Sequence, residues 1–150
     1  MLKYKVDWLA FSVSFDDEEQ TLDSQILKML GYDLADFDEI PGRYFYNAGA
    51  TYRNYVNVFW NDPYKPRHKN SSRTMTVVFT GQGSTELAEK WDTNWFDIFS
   101  TLKEYGGVNF TRIDLALDDY AETVKFSDIE KKLNKGHYRS SRKSYNIVKT

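Results

Sequence analysis

The sequence contains no cysteine, so neither a disulfide nor a thiolate metal site can be built from it. It has two histidines, His68 and His137, too few for a histidine-based zinc centre, although one could assist a carboxylate site. No apolar run approaches membrane-spanning length and the N-terminus lacks a signal-peptide pattern, so a cytoplasmic protein with no membrane partner is expected. Gly81 and Gly83 frame no phosphate loop: the Walker lysine is missing, and so is the dinucleotide fingerprint. With no Ser-His-Asp pattern either, a small-molecule enzyme has little support. There is no internal repeat and no low-complexity tract.

What is present is ring and charge. The 150 residues suffice for a single domain, 1–150, with a real core. Aromatic residues make up 17% of the chain, and rings in such excess can stack on bases as well as fill a core. The net charge of -2 hides a division. Residues 16–39 are acidic, with Lys28 the lone cation among nine acids. Lys65, Arg67, His68, Lys69 and Arg73 form a basic loop. Beyond Glu130 only cations remain: Lys131, Lys132, Lys135, Arg139, Arg142, Lys143 and Lys149. Solvated loops would explain each cluster. Local basic surface is also what phosphate binding needs.

Residues 4–15 alternate with apolar side chains on both faces, which predicts a central, buried strand. Leu22, Ile26, Leu27 and Leu30 then fall at helical spacing, with Gly31 as the stop. A short helical turn is expected over 35–40. Segments 43–48 and 52–60 read as a hairpin joined through Gly49, with more rings than one core face can hold. Of Tyr44, Tyr46, Tyr52, Tyr55, Phe59 and Trp60, some are therefore expected on the same open surface as the carboxylates. A strand over 74–80, a tight turn, and one broken helix or two over 84–91 and 93–105 follow. Trp91, Trp95, Phe96, Phe99 and Leu102 supply the helical core stripe, and Gly106 and Gly107 end it. A capping box at Ser127 and Glu130 predicts a last helix over 128–134.

The most informative stretch is 109–119. Phe110, Arg112, Asp114, Ala116 and Asp118 alternate with Ile113, Leu115 and Leu117, so the second set is expected in a core. The first set spaces an arginine and two carboxylates at roughly 7 Å per two residues. Carboxylates held on a rigid strand can share a cation, or can simply face solvent.

Four pieces together resemble the replication initiation factor family, the Rep-trans rolling-circle initiators and the related conjugative-element relaxases. They are Asp7 to Ser12, Val77 to Gly83, the Arg112, Asp114 and Asp118 strand, and the tail His137 to Ser144. The resemblance implies a nickase that attacks origin DNA with a tyrosine, remains joined to the 5′ phosphate, and uses a divalent metal, Mg or Mn. Asp114 and Asp118 would be the metal-binding acids, and Arg112 would steady a phosphate or the carboxylates. DNA contacts would come from Arg67, Lys69, Arg73, Arg139, Arg142, Lys143, Tyr46 and Tyr52. The partner is single-stranded or extruded origin DNA, with a second copy of the chain and a helicase as further candidates.

The family's nucleophile and remaining ligands are expected downstream of residue 150. The chain then reads as the N-terminal part of an enzyme, inactive in nicking by itself. The alternative is a non-catalytic DNA-binding or dimerisation module. Either way the expected fold is α+β: an antiparallel sheet of about five strands, helices on one face, and the other face toward DNA.

Overall fold

In the computed structural model, residues 2–17, 19–66, 73–119 and 125–136 are described, with the backbone alone at 2, 3, 118 and 119. Residues 6–116 form one compact unit, and residues 1–5 with 117–150 form another. The architecture is α+β, built on a six-stranded antiparallel sheet.

The alternating first segment forms β1, Leu2–Ser14. Asp23 then caps α1, Ser24–Met29, by accepting from the Gln25 N–H at 2.9 Å. Ile26, Leu27 and Leu30 are fully buried, and Gly31 takes the left-handed φ of +98° that ends the helix. A single 3-10 turn, Leu34–Asp36, leads into β2, Asp38–Pro41. β3, Ala48–Tyr52, and β4, Val56–Trp60, form the hairpin. β5, Thr74–Phe79, runs directly into α2, Gly81–Lys90; α3, Trp95–Tyr105, follows. β6, Val108–Asp119, and α4, Phe126–Asn134, complete the described elements. The strand order is β2-β3-β4-β5-β1-β6.

Six strands stand where about five were expected, and the added one is β2. Its polar sequence carries little strand signal; pairing with β3 from Asp38↔Thr51 to Pro41↔Ala48 makes it a strand. The hairpin turn also lies elsewhere than expected. Gly49 sits inside β3, where a Cβ would come within 2.9 Å of the Phe59 ring. The turn is at Arg53 (φ 53°) and Asn54 (φ 58°), both left-handed as a type I′ turn requires, with Tyr55 N–H bonded to the Tyr52 carbonyl at 2.8 Å.

The main core lies between one sheet face and the helices. Leu9, Phe11 and Val13 of β1, Val56 and Val58 of β4, and Met75, Val77 and Phe79 of β5 meet Leu87 of α2 and Ile98 and Leu102 of α3. Each fully buried side chain of this size contributes about 1.5–3 kcal/mol. Gly83 lets α2 approach the hairpin, because a Cβ there would fall 1.8 Å from the Tyr55 carbonyl oxygen. Asp92 (φ 50°) and Thr93 (φ 61°) break the helical stretch in two, and Asn94 caps α3. Phe96, assigned to the core stripe by sequence, is instead exposed, because Ile98 and Leu102 occupy the inward positions of α3.

On the opposite sheet face a second cluster gathers Ala10, Tyr46, Phe59 and Val78, flanked by Trp8 and Ile40. Among the described residues of the 6–116 unit, none of the cluster's members comes from a helix.

β6 departs from simple alternation. Phe110 packs on Phe11 and Phe99, in the helix-side core. Arg112, two residues on, lies over Trp8 on the opposite face. The side chains change face between these positions, so Phe110 and Arg112 do not share one. The apolar set fails to reach the core: Ile113 is 42% exposed, Leu115 74% and Leu117 48%.

In the second unit, α4 starts at Phe126 with Lys125 as N-cap and no side-chain capping bond. Ser127 lies inside the helix, so the expected capping box does not form. Phe126 and Ile129 are exposed on it.

Candidate nucleic-acid interface

On the sheet face opposite α1, α2 and α3, Arg112 of β6 meets Trp8 and is paired with Asp114. The Arg112 guanidinium carbon stands over the Trp8 ring, 4.5 Å from its centre, within cation–π range. Its edge grips Asp114: Nε lies 3.0 Å from Oδ1 and 3.1 Å from Oδ2, and one terminal nitrogen lies 2.6 Å from Oδ2. This is the fork geometry that arginine makes and lysine cannot. Arg112 holds the Asp114 carboxyl below the usual carboxylate range, and Asp114 in turn raises the guanidinium. Both side chains remain about half exposed. Ring below and carboxylate at one edge fix the guanidinium plane, while its other N–H donors have no partner among the described residues.

Above the same face runs the loop between β2 and β3. Tyr46 anchors it: the ring is buried against Ala10, Phe59 and Val78. Its hydroxyl pairs with Thr74 Oγ1 at 2.6 Å and accepts from Thr76 Oγ1 at 3.1 Å. Gly42 is required where the loop folds back, since a Cβ would lie 2.1 Å from the Tyr46 carbonyl oxygen. Tyr44 (φ 55°) and Phe45 (φ 71°) are both left-handed, a conformation that costs a non-glycine residue roughly 1–2 kcal/mol. They are nevertheless 58% and 72% exposed. Tyr44 rests edge-on against Phe59 at 5.4 Å and is near enough for its hydroxyl to influence Arg112.

The expected site residues distribute unevenly over this arrangement. Arg112 and Asp114 come together. Asp118 lies on β6, but its side chain is outside the described residues, as are Arg67, Lys69, Arg139, Arg142 and Lys143. Arg73 is exposed at the entrance to β5, where its carbonyl accepts from Phe15 N–H at 2.8 Å. The two rings named for stacking have structural employment. Tyr46 is covered as just described. Tyr52 is half-buried in the other core, against Tyr32, Phe37 and Tyr55 at 5.6, 5.8 and 6.4 Å, with Arg53 over it. The exposed rings of this loop are Tyr44 and Phe45, while Trp8 is half-buried beneath Arg112. Sequence marks all three as aromatic, but nothing in it gives the left-handed φ of Tyr44 and Phe45.

Among the described residues, no group of three histidine, cysteine, aspartate or glutamate side chains is gathered as a metal ion would need. Asp114 has both oxygens occupied by Arg112. These donors do not by themselves fit a divalent ion. Also among the described residues, no helix is long and apolar enough to cross a membrane.

No protein-family model matches the chain. Over 96 residues, 61% of its length, it is 31% identical to "Putative DNA relaxase NicK" of Bacillus subtilis (strain 168), of which it covers 25%. Its fold resembles the solved rolling circle replication initiator protein from Geobacillus stearothermophilus, with a TM-score of 0.67 and 25% identity. That likeness covers 96% of this chain and 54% of the other. The chain thus spans about a quarter of one relative and about half of the other.

Proposed function

As a member of the replication-initiator and relaxase family, this chain is, we propose, the N-terminal part of a protein that nicks origin DNA through a tyrosine and stays joined to the 5′ phosphate. The observation that carries the proposal is the Arg112 fork. It lies over Trp8 and is gripped by Asp114, on the sheet face opposite α1, α2 and α3. A planar guanidinium with spare donors suits a phosphate oxygen, and the neighbouring rings suit bases.

In this reading the chain's own part is binding and orientation. DNA lies across this sheet face, with single-stranded or extruded origin as the substrate class. Arg112 takes a phosphate, and holding that group in one geometry lowers the entropic barrier to attack. Asp114 acts by fixing the guanidinium. Arg73 and the cations of the loop and tail, Arg67, Lys69, Arg139, Arg142 and Lys143, add phosphate contacts that weaken with salt. The attacking tyrosine belongs to the downstream part of the protein. The divalent ion, Mg or Mn, that the resemblance implies is a proposal for the whole protein only: among the described residues Asp114 is engaged by Arg112 and no third donor is gathered.

The test uses the full-length protein with supercoiled plasmid carrying its own origin, in Mg or Mn buffer. Open circles bearing covalently attached protein, with the adduct mapped to a tyrosine by mass spectrometry, are expected. Salt-sensitive DNA binding without any nicking would favour the non-catalytic module instead.

A further inference from the structure

We infer that the turn at Arg43, Tyr44 and Phe45, together with Tyr64 of the adjoining loop, forms a platform for unpaired bases. The inference rests on the DNA-binding reading above and deepens it by naming which rings would take the unpaired bases.

The two loops are fastened together. Asn47 donates from Nδ2 to the Asp62 carbonyl at 3.0 Å and to the Pro66 carbonyl at 3.3 Å, while its Oδ1 accepts from Asp62 N–H at 2.6 Å. Asp62 in turn accepts through Oδ1 from Tyr64 N–H at 2.9 Å, and through its carbonyl from Lys65 N–H at 3.2 Å. On the other side Tyr46 is bolted to Thr74 and Thr76. From this pinned base three rings project outward, with Tyr64 96% exposed.

Packing does not account for them. Tyr44 and Phe45 occupy left-handed backbone that glycine would fill without strain, and they gain little burial in return. Large rings held rigidly in water, with cations beside them, are what base stacking uses. Arg43 is exposed within the same turn, and Lys65 stands in the partner loop, paired with Glu39 at 2.9 Å. A duplex buries its base faces, so the matching occupant is an unpaired nucleotide stretch.

The glycine preference supplies a clean variant. Tyr44→Gly combined with Phe45→Gly removes both rings at positions where glycine relieves the backbone, so the fold is kept. Binding of labelled single-stranded, abasic single-stranded and duplex oligonucleotides is read by fluorescence anisotropy at fixed salt. Melting and sedimentation are measured in parallel. The expected result is a loss of about ten-fold or more in single-strand affinity. Abasic and duplex affinities should change less than two-fold, melting should be equal or higher, and Tyr44→Phe should retain affinity.

Equal single-strand affinity, or equal losses on all three probes, would overturn the platform while leaving the DNA-binding reading intact. A change of oligomeric state with unchanged DNA affinity would also overturn it and make the rings a contact between copies. Wild-type protein that binds none of the three probes would sink the underlying reading as well.

Discussion

The Arg112 guanidinium carbon lies over the Trp8 ring, 4.5 Å from its centre, although the two residues are more than a hundred positions apart in sequence. Antiparallel pairing at one edge of the sheet places them together, as the Ser14 N–H to Gly107 carbonyl bond at 2.9 Å anchors the start of that pairing. A guanidinium over a ring and gripped by a carboxylate has one orientation, which a lysine could not hold.

Arg112→Lys should therefore behave almost like Arg112→Ala. Both should weaken single-stranded DNA binding several-fold and reduce the slope of log affinity against log salt by about one contact. The melting temperature should barely move, because the side chain is exposed. Anisotropy titrations at three salt concentrations check this. A lysine variant with wild-type affinity would show that charge alone matters.

Tyr46 should report on stability. Tyr46→Phe removes two hydroxyl contacts and is expected to cost about 1 kcal/mol, whereas Tyr46→Ala opens a cavity and should cost about 3–5 kcal/mol. Urea midpoints give both values. If Tyr46→Ala were neutral in stability, the loop anchor described above would be discounted.

Gly83→Ala is expected to be among the most damaging single methyl additions in the chain. The new Cβ would meet backbone, the Tyr55 carbonyl, which cannot swing aside as a side chain can. A loss of at least about 3 kcal/mol follows, at the upper end of overpacking effects. Chemical denaturation measures it, and Gly81→Ala at the start of the same helix, where a Cβ meets nothing nearer than the Asp7 carbonyl oxygen at 3.5 Å, is the control.

Tyr105 predicts an alkaline limit. Its hydroxyl donates to Asp23, the cap of α1, and burial followed by that hydrogen bond pushes the phenol from 10.0 up to about 12. A folded-state pKa above the unfolded value means that the folded chain keeps the proton longer. The contribution is whole below pH 10.0 and fades as pH rises toward 12. The partly exposed ring keeps the effect below the full linkage value. Tyr105→Phe should lower stability at pH 8 by about 1 kcal/mol and flatten its decline above pH 10. An unchanged alkaline slope would contradict the assignment.

Sequence reading succeeded where one period ran unbroken. β1, α1, β5 and the capped halves of the helical stretch were legible because alternation, helical spacing and glycine stops all pointed the same way. It failed where tertiary contact overrode local pattern. Asp38 to Pro41 pair as a strand only because β3 lies beside them. Gly49 drew the hairpin turn toward itself, yet it is a glycine because Phe59 needs the space, while Arg53 and Asn54 turn without one.

The candidate site shows the same division. Arg112 and Asp114 were visible as a charged pair on one strand face, since positions two apart stay together. The change of face after Phe110 was invisible, and with it the exposure of Ile113 and Leu115 and the placement of Arg112 over Trp8. Tyr46 and Tyr52 were picked for ring chemistry alone. Burial of the one and partial burial of the other, against the exposure of Tyr44 and Phe45, depend on backbone conformation that composition does not carry.

DNA is proposed to lie on the sheet face that carries Trp8, the 42–47 loop and Arg112. Hydrogen–deuterium exchange with and without a saturating single-stranded oligonucleotide tests it most directly. Protection is predicted in the segment around Trp8, in the 42–47 loop and around Arg112, with α2 and α3 unchanged. Protection confined to α2 and α3, with the Trp8 and Arg112 segments exchanging as in the free protein, would contradict it.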